Sequence, residues 1–375
     1  MTHDIFIDSL RRAVLEKVAP VAMEVDQSGR MNPDTVALFW DLGVLQILLP
    51  EAYGGWPHDP VCTLCASIEE IAKSCASSAL LLVIQAVGSF PLIAAGNDAQ
   101  KEKYFSMISQ GRSLVGYLVT EPDAGSDVKA ISTTAVRNNK GYVLNGRKTF
   151  ATNGAVADLY TVLARTADNE FSFFIVERDT NGVSVGKAED KCGFRGSNTA
   201  DVVLEDVFVG HDSLLGEEGQ GFAIAMQDFD MSRPAVGALA MGIAQGALDI
   251  ALKYAHQRRT FGKKLMDHQA IQFMLADAAT LIEAGRGLVE KSSRAFDANE
   301  RNTKLASMAK CFCSDAAMKI CTDMVQVLGG YGYTRPFQVE RMFRDAKLTQ
   351  IFEGTNQIQR MIIAREMRSS YSGVR

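Results

Sequence analysis

GYVLNGRKTF (141–150), LYTVLART (159–166), FSFFIVERD (171–179), GVSVGKA (182–188) and DVVLEDVFV (201–209) are the stretches whose reading decides the fold. Each is short and rich in branched and aromatic residues. Turn chemistry separates them: Asn138-Asn139-Lys140-Gly141, Asp168-Asn169 and Thr180-Asn181-Gly182. The intervals lack the helical patterns of about 10–15 residues that a parallel sheet needs, and no G-x-G-x-x-G follows a strand. The predicted unit is an antiparallel β domain, and a dinucleotide-binding βαβ unit is disfavoured.

Outward from this block the period becomes helical on both sides. Toward the N-terminus, Phe6, Leu10, Val14 and Val18 recur at helical spacing, as do Val36, Phe39, Trp40 and Val44. Residues 64–87 form an almost all-round apolar helix, which predicts burial on most sides. Between them, LLPEAYGGWPHDP (Leu48–Pro60) reads as a loop whose Gly54-Gly55 pair suits either a plain turn or a close approach. Toward the C-terminus, segments near 223–258, 267–296, 303–328 and 337–371 predict a four-helix bundle. The expected order is an N-terminal helical domain (1–115), a middle β domain (116–221) and a C-terminal helical bundle (222–375).

A chain of 375 residues corresponds to roughly two to three domains at about 150 residues each. With 47% hydrophobic and 22% charged residues it can bury a sizeable core. The formal charge is -5, without a basic stretch interleaved with aromatics, so nucleic acid is a poor partner. Seven cysteines leave one over in any fully paired scaffold, and Cys62-x-x-Cys65 lies in an apolar helical segment without a second pair. Buried thiols in a reducing cytoplasm are expected. The opening MTHDIFIDSLRRAVLEKV carries acidic residues where a secretory leader is basic. No apolar run reaches the roughly 18 residues of a membrane span, the nearest being interrupted by Gln85, Gly88 and Ser89.

The five histidines are scattered, which gives metal catalysis little support. Three segments stand out chemically. TEPDAGSD (120–127) exposes small residues whose N–H groups suit phosphate or ring oxygens, or form an Asx-type turn. HQRRTFGK (256–263) ends a long helix with paired arginines, either an anion site or a favourable charge stripe at a helix C-terminus. FRDAKLTQIFEGTNQIQR (343–360) places Glu353 before Gly354 and Thr355 between apolar stretches, interrupting one helix and starting another. In an apolar pocket such a carboxylate gains basicity and suits proton abstraction; at an ordinary helix start it is stabilised as an anion.

Taken together with LPEAYGG (49–55), KTFATNG (148–154), RPAVGALAMGIAQGALDIALKYAHQRRTFGK (233–263) and QVLGGYGY (326–333), these segments resemble the acyl-CoA dehydrogenase family over essentially the whole chain. The resemblance implies an acyl-CoA dehydrogenase-like fold assembled as a homotetramer of dimers, with FAD in a cleft between the β domain and the bundle. By motif, Tyr117, Val119, Thr120, Gly125, Ser126, Phe150 and Thr152 would line the flavin, with Thr355 and Gln357 close. Arg258, Phe261, Gln326 and Gly330 would contact the nucleotide half from an adjacent subunit. Glu353 would be the base for the α-proton of an acyl-CoA thioester. Its backbone N–H and an FAD ribityl hydroxyl would hold the thioester oxygen while hydride passes to flavin N5. Asp230 and Arg233 resemble CoA-contacting positions, with an intrahelical i,i+3 pair as their structural alternative. Electrons would leave to an electron-transfer flavoprotein.

Two comparisons within the family narrow the expectation. GALAMGIAQ (237–245) offers no alternative carboxylate base, and SALLLVIQ (78–85) lacks the arginine that meets a distal carboxylate in members acting on glutaryl-CoA. An uncharged acyl group is expected. Phe352 stands where a tyrosine is common, and Trp56 adds a bulky ring. Alternatives at the level of sequence are an enoyl-CoA reductase using the same site and a non-enzymatic CoA-binding protein.

Overall fold

The structure, a computed structural model, describes residues 3–372; residues 1–2 and 373–375, at the ends of the first and last expected domains, lie outside the described residues. Six helices come first: α1 (His3–Ala13), α2 (Ala22–Ser28), α3 (Pro33–Asp41), α4 (Pro60–Ala72), α5 (Ala76–Ala95) and α6 (Asp98–Ser109). Local chemistry sets several boundaries. Asn32 caps α3 by accepting from the Thr35 amide at 2.9 Å, with Pro33 preset for the first turn. A reciprocal Asn97/Gln100 capping box starts α6. In the loop before α4, a Cβ on Gly55 would lie 1.5 Å from the Leu49 carbonyl oxygen, so the glycine permits a close backbone approach within the chain.

The middle domain contains β1 (Val115–Leu118), β2 (Thr134–Asn138), β3 (Gly141–Thr152), β4 (Leu159–Ala167), β5 (Glu170–Glu177), β6 (Val183–Val185), β7 (Thr199–Gly210) and β8 (Leu214–Leu215). The sheet order is β6-β7-β3-β2-β4-β5-β8. Pairing is antiparallel except where β1 and, at one position, β2 run parallel to β4. Those parallel contacts modify the expected all-antiparallel reading: β1 enters from the helical domain and reaches β4 only through the intervening β2–β3 hairpin. Gln85 of α5 fixes that entry, its amide donating to the Ser113 carbonyl and its Oε1 accepting from the Val115 amide.

The C-terminal region consists of α7 (Gly221–Gln257), a short hairpin of β9 (Arg259–Thr260) and β10 (Lys263–Lys264), then α8 (Gln269–Asp297), α9 (Thr303–Leu328), α10 (Val339–Thr349) and α11 (Asn356–Ser372). The segment expected as one helix over 337–371 is two. Glu353 and Gly354, with φ of 52° and 83°, adopt a left-handed turn that no α-helix can continue through. Helix α10 joins all three regions: Arg341 donates to the carbonyls of Ala22 and Ser74, Arg344 pairs with Asp26 at 2.7 Å, and Asp345 accepts from the Phe194 amide at 2.6 Å.

The expectation concerns uninterrupted apolar runs; counted across their polar breaks, two helices among the described residues do reach membrane-spanning length. Helices α5 and α7 are long and apolar enough, with window hydropathies of 2.0 and 1.6; those windows are 78% buried within the fold, as core helices are. An uninterrupted-run criterion stops at polar residues such as Gln85, whose amide is satisfied inside the fold.

Candidate functional site

Two parts of the β domain are brought together by one buried charge pair. Lys148 on β3 reaches Glu121 just beyond β1 at 2.8 Å, with both side chains buried. The ammonium also donates to the carbonyls of Val119 and Leu163, while Glu121 accepts from Ser132 and Thr133. Burial favours a neutral Glu121, yet Lys148 and these donors take its pKa down to about 2. Burial takes Lys148 down to about 8 against the pull of Glu121. Closing the pair lays the 117–120 segment against β3, where the Thr149 amide donates to the Thr120 carbonyl at 2.9 Å.

Tyr117, Val119, Thr120, Phe150 and Thr152 therefore share one region. A register shift between Lys148 and Ala151 turns Phe150 outward at φ 52°, leaving this large ring 65% exposed. Gly125 and Ser126 are exposed in the adjoining turn, which the reciprocal Glu121–Ala124 backbone bonds close. An uncovered ring beside accessible backbone and hydroxyls fits a flat heterocyclic ligand.

Glu353 sits on the turn between α10 and α11, and its Oε2 accepts from Ser232 of α7 at 3.0 Å. Burial raises its pKa, opposed by that hydrogen bond and by the charges of Arg233 and Lys310. The turn is held from several sides. Lys310, fully buried on α9, donates to the Gly354 carbonyl at 2.8 Å and to Asn356 Oδ1 at 2.9 Å. Gln359 donates to the carbonyls of Glu353 and Gly354. Asn356 donates in turn to Ser314 and Asp315. A left-handed glutamate persists only where its surroundings over-determine it, and here they do. Thr355, at the start of α11, accepts from the Ile358 amide, and Gln357 is exposed.

Asp230 and Arg233 form an ion pair at 3.1 Å one helical turn apart, with Arg233 buried. Pro234 explains part of the geometry: lacking an N–H, it leaves the Asp230 carbonyl without its helical donor, and Asn302 Nδ2 fills the place at 2.9 Å. Phe352 lies 6.2 Å from the Phe194 ring and Trp56 4.7 Å from Phe6, so both rings have packing roles.

The remaining residues lie at the far end of the bundle. Arg258 and Gly330 line a cavity of about 490 Å³ with Tyr254, Thr260, Gly329 and Tyr331. Gln326 is exposed nearby on α9, and Phe261 at the hairpin tip is 97% exposed. No β-domain residue and no part of the Glu353 turn lines this cavity. Sequence reading missed Lys310, Ser232 and Asn356. A lysine within an apolar helical pattern was an available signal for the first; the others carry none without the fold.

The thiol expectation holds for Cys65, which is buried, while Cys62 is half-buried and donates to Ser293, and Cys192 is exposed. Burial pushes the Cys62 thiol up to about 11. No group of metal-binding side chains occurs among the described residues.

Comparison with known proteins follows this geometry along the chain. Family models for the acyl-CoA dehydrogenase N-terminal, middle and C-terminal domains match residues 1–112, 116–207 and 219–368. The chain is 54% identical to cyclohexane-1-carbonyl-CoA dehydrogenase of Syntrophus aciditrophicus strain SB, covering 98% of this chain and 96% of that protein. It is 53% identical to the Geobacter metallireducens protein of the same name, over 97% and 96%. The solved structure of butyryl-CoA dehydrogenase from Megasphaera elsdenii superposes with a TM-score of 0.94 at 38% identity, over 98% of each chain. With all three domains matched in order and relatives aligned nearly end to end, the chain belongs to the acyl-CoA dehydrogenase family.

Proposed function

We propose that the protein catalyses FAD-dependent α,β-dehydrogenation of an acyl-CoA thioester with an uncharged acyl group, cyclohexane-1-carbonyl being the first candidate. The observation that carries the reading is Glu353: a half-buried carboxylate, raised in basicity by burial and fixed through one oxygen by Ser232. Its Oε1 accepts no hydrogen bond among the described residues and is the atom that takes the α-proton. The Glu353 amide, which closes no backbone bond among them, is positioned as a donor to the thioester oxygen. Such donors matter because proton loss builds enolate-like charge in a site emptied of water.

FAD, when bound, supplies the acceptor for the β-hydride. Val119, Thr120, Phe150 and Thr152 would hold its ring, with Tyr117, Gly125 and Ser126 beside them and Thr355 and Gln357 near. Arg258, Phe261, Gln326 and Gly330 would take the nucleotide half from a second subunit, a reading supported by the separate, exposed cavity at the bundle end. Exposed Phe261 and Tyr333 support assembly there into a homotetramer. Asp230 and Arg233 would face CoA once their mutual pair opens. An electron-transfer flavoprotein would reoxidise the enzyme, and the seven free thiols support a cytoplasmic setting.

The cyclohexane-1-carbonyl assignment is supported by the two relatives of that name and by the uncharged SALLLVIQ segment in α5. The test is anaerobic addition of cyclohexane-1-carbonyl-CoA to the flavin-loaded protein, with butyryl-CoA alongside. Bleaching by the cyclic thioester supports the proposal, and preferential bleaching by butyryl-CoA overturns the acyl assignment. Retention of an oxidised spectrum with every saturated thioester, together with oxidation of the reduced protein by enoyl-CoA, identifies a reductase.

A further inference from the structure

Asp228 has no part in the chemistry above. It is fully buried in α7, and neither carboxyl oxygen reaches a partner in good hydrogen-bond geometry, with the Tyr117 hydroxyl of β1 the donor close enough to act on it. An ionised carboxylate in such a place loses its hydration with only the Tyr117 hydroxyl and the Arg233 charge to offset it, so the proton is retained. Asp228 precedes Ser232 by four residues and therefore lies on the same face of α7 as the hydroxyl that holds Glu353. From β1, the Tyr117 hydroxyl is also buried without a well-formed hydrogen bond, its ring stacked 5.7 Å from Phe173.

The groups acting on Asp228 come from each element around it: Glu353 from the α10–α11 turn, Tyr117 from β1 and Arg233 from α7 itself. Burial, then Glu353, raise its pKa well above the ordinary value, outweighing Tyr117 and Arg233. Glu353 is better placed to carry charge, with a hydroxyl donor in Ser232 and two cations, Arg233 and Lys310, acting on it.

Resting on the reading of Glu353 as base, we propose that Asp228 is a positioning residue of the reaction centre: a neutral carboxylic acid, one turn from Ser232, whose protonation leaves the pocket's carboxylate charge on Glu353. Two carboxyls in one buried site do not both ionise readily, and unequal surroundings decide which one does. A protonated Asp228 confines the negative charge to the atom pair that meets the substrate.

Infrared difference spectroscopy of the flavin-loaded protein tests this directly. At neutral pH the wild type should show the carbonyl stretch of a protonated carboxylic acid, lost in Asp228→Asn and retained in Glu353→Gln. In Glu353→Gln that band should also titrate away at a pH lower by about one unit, because the charge opposing ionisation of Asp228 is gone. Asp228→Asn should leave the acid limb of the flavin-reduction pH profile within about 0.3 pH units, since it removes no charge. Absence of the band, no coupling to Glu353, or an acid limb moved down by about one unit in Asp228→Asn overturns the proposal. Should that variant fail to bind FAD, Asp228→Ser carries the same readouts. Flavin reduction that persists in Glu353→Gln would overturn the role of Glu353 and leave the infrared test of Asp228 standing.

Discussion

The β domain and the bundle each bury a lysine near a glutamate, and the two arrangements are finished differently. Lys148 and Glu121 touch, and their surplus hydrogen-bonding capacity goes to the Val119 and Leu163 carbonyls, Ser132 and Thr133. Lys310 instead bonds the backbone of the turn that carries Glu353, while Glu353 keeps one oxygen free and nearby Asp228, Tyr117 and Arg233 Nε have no partner in good hydrogen-bond geometry. A closed network specifies a shape; an open one retains groups that can engage a ligand.

Energetics sharpen the contrast. Lys148 and its neighbouring donors hold Glu121 well below its ordinary range, while burial lowers Lys148 against the pull of Glu121, so attraction and desolvation oppose each other within the pair. Intact buried ion pairs are for that reason often close to neutral in net stability. Removing either partner is another matter, because the survivor is left buried and uncompensated.

The largest expected effect breaks the open side: Glu353→Gln should slow substrate-driven flavin reduction by about 10²–10⁴-fold, measured by stopped flow, with thermal stability retained. On the closed side, Glu121→Gln should cost about 3–5 kcal/mol in denaturant unfolding by stranding Lys148. Comparable losses of stability in both variants would erase the distinction between the two networks.

Lys310→Met tests the scaffold of the open side. It removes the two donors that hold Gly354 and Asn356, and should cost about 1.5–3 kcal/mol per charged hydrogen bond lost, with reduced turnover. The pH dependence has a defined sign. Glu121, depressed in the folded state, contributes stability that is complete above its unfolded value and lost as pH falls toward about 2. Lys148, also depressed, makes the fold more stable as pH rises from about 8 toward its ordinary value. Both slopes should vanish from the stability profile of a Lys148→Met/Glu121→Gln double variant. The smallest effect is expected at the exposed Lys319–Asp323 pair, where Lys319→Ala should change stability by less than about 0.5 kcal/mol and provides a surface baseline.

The open and closed networks also differ in legibility. Glu353, between apolar segments and before Gly354, was readable as a helix interruption with possible basicity; its role as base came from the motif resemblance. Lys148 and Glu121 lay in plain view within KTFATNG and TEPDAGSD, but sequence alone reads those motifs for ligand contacts or a turn and not for a bond between them. Their mutual bond depends on strands distant in the chain. Arg344 and Asp345 likewise sat in a motif read for its glutamate, and the fold uses them to join the helical domain, β domain and bundle. The break at 350–355 was visible as a local signal, although the bundle count treated the surrounding segment as one helix.

What the sequence by itself determined was the order of helix, sheet and helix, because side-chain periodicity and turn chemistry act over a few residues. The family motifs extended that to an expected cofactor and base. Tertiary structure alone decided which buried charges are satisfied, that Asp228 lies on the helix face whose Ser232 bonds Glu353, and that Lys310 holds the turn carrying Glu353. Protonation and hydrogen bonding depend on burial and on partners more than 100 residues away, such as Ser232 and Glu353 at a separation of 121, and local sequence does not specify those distances.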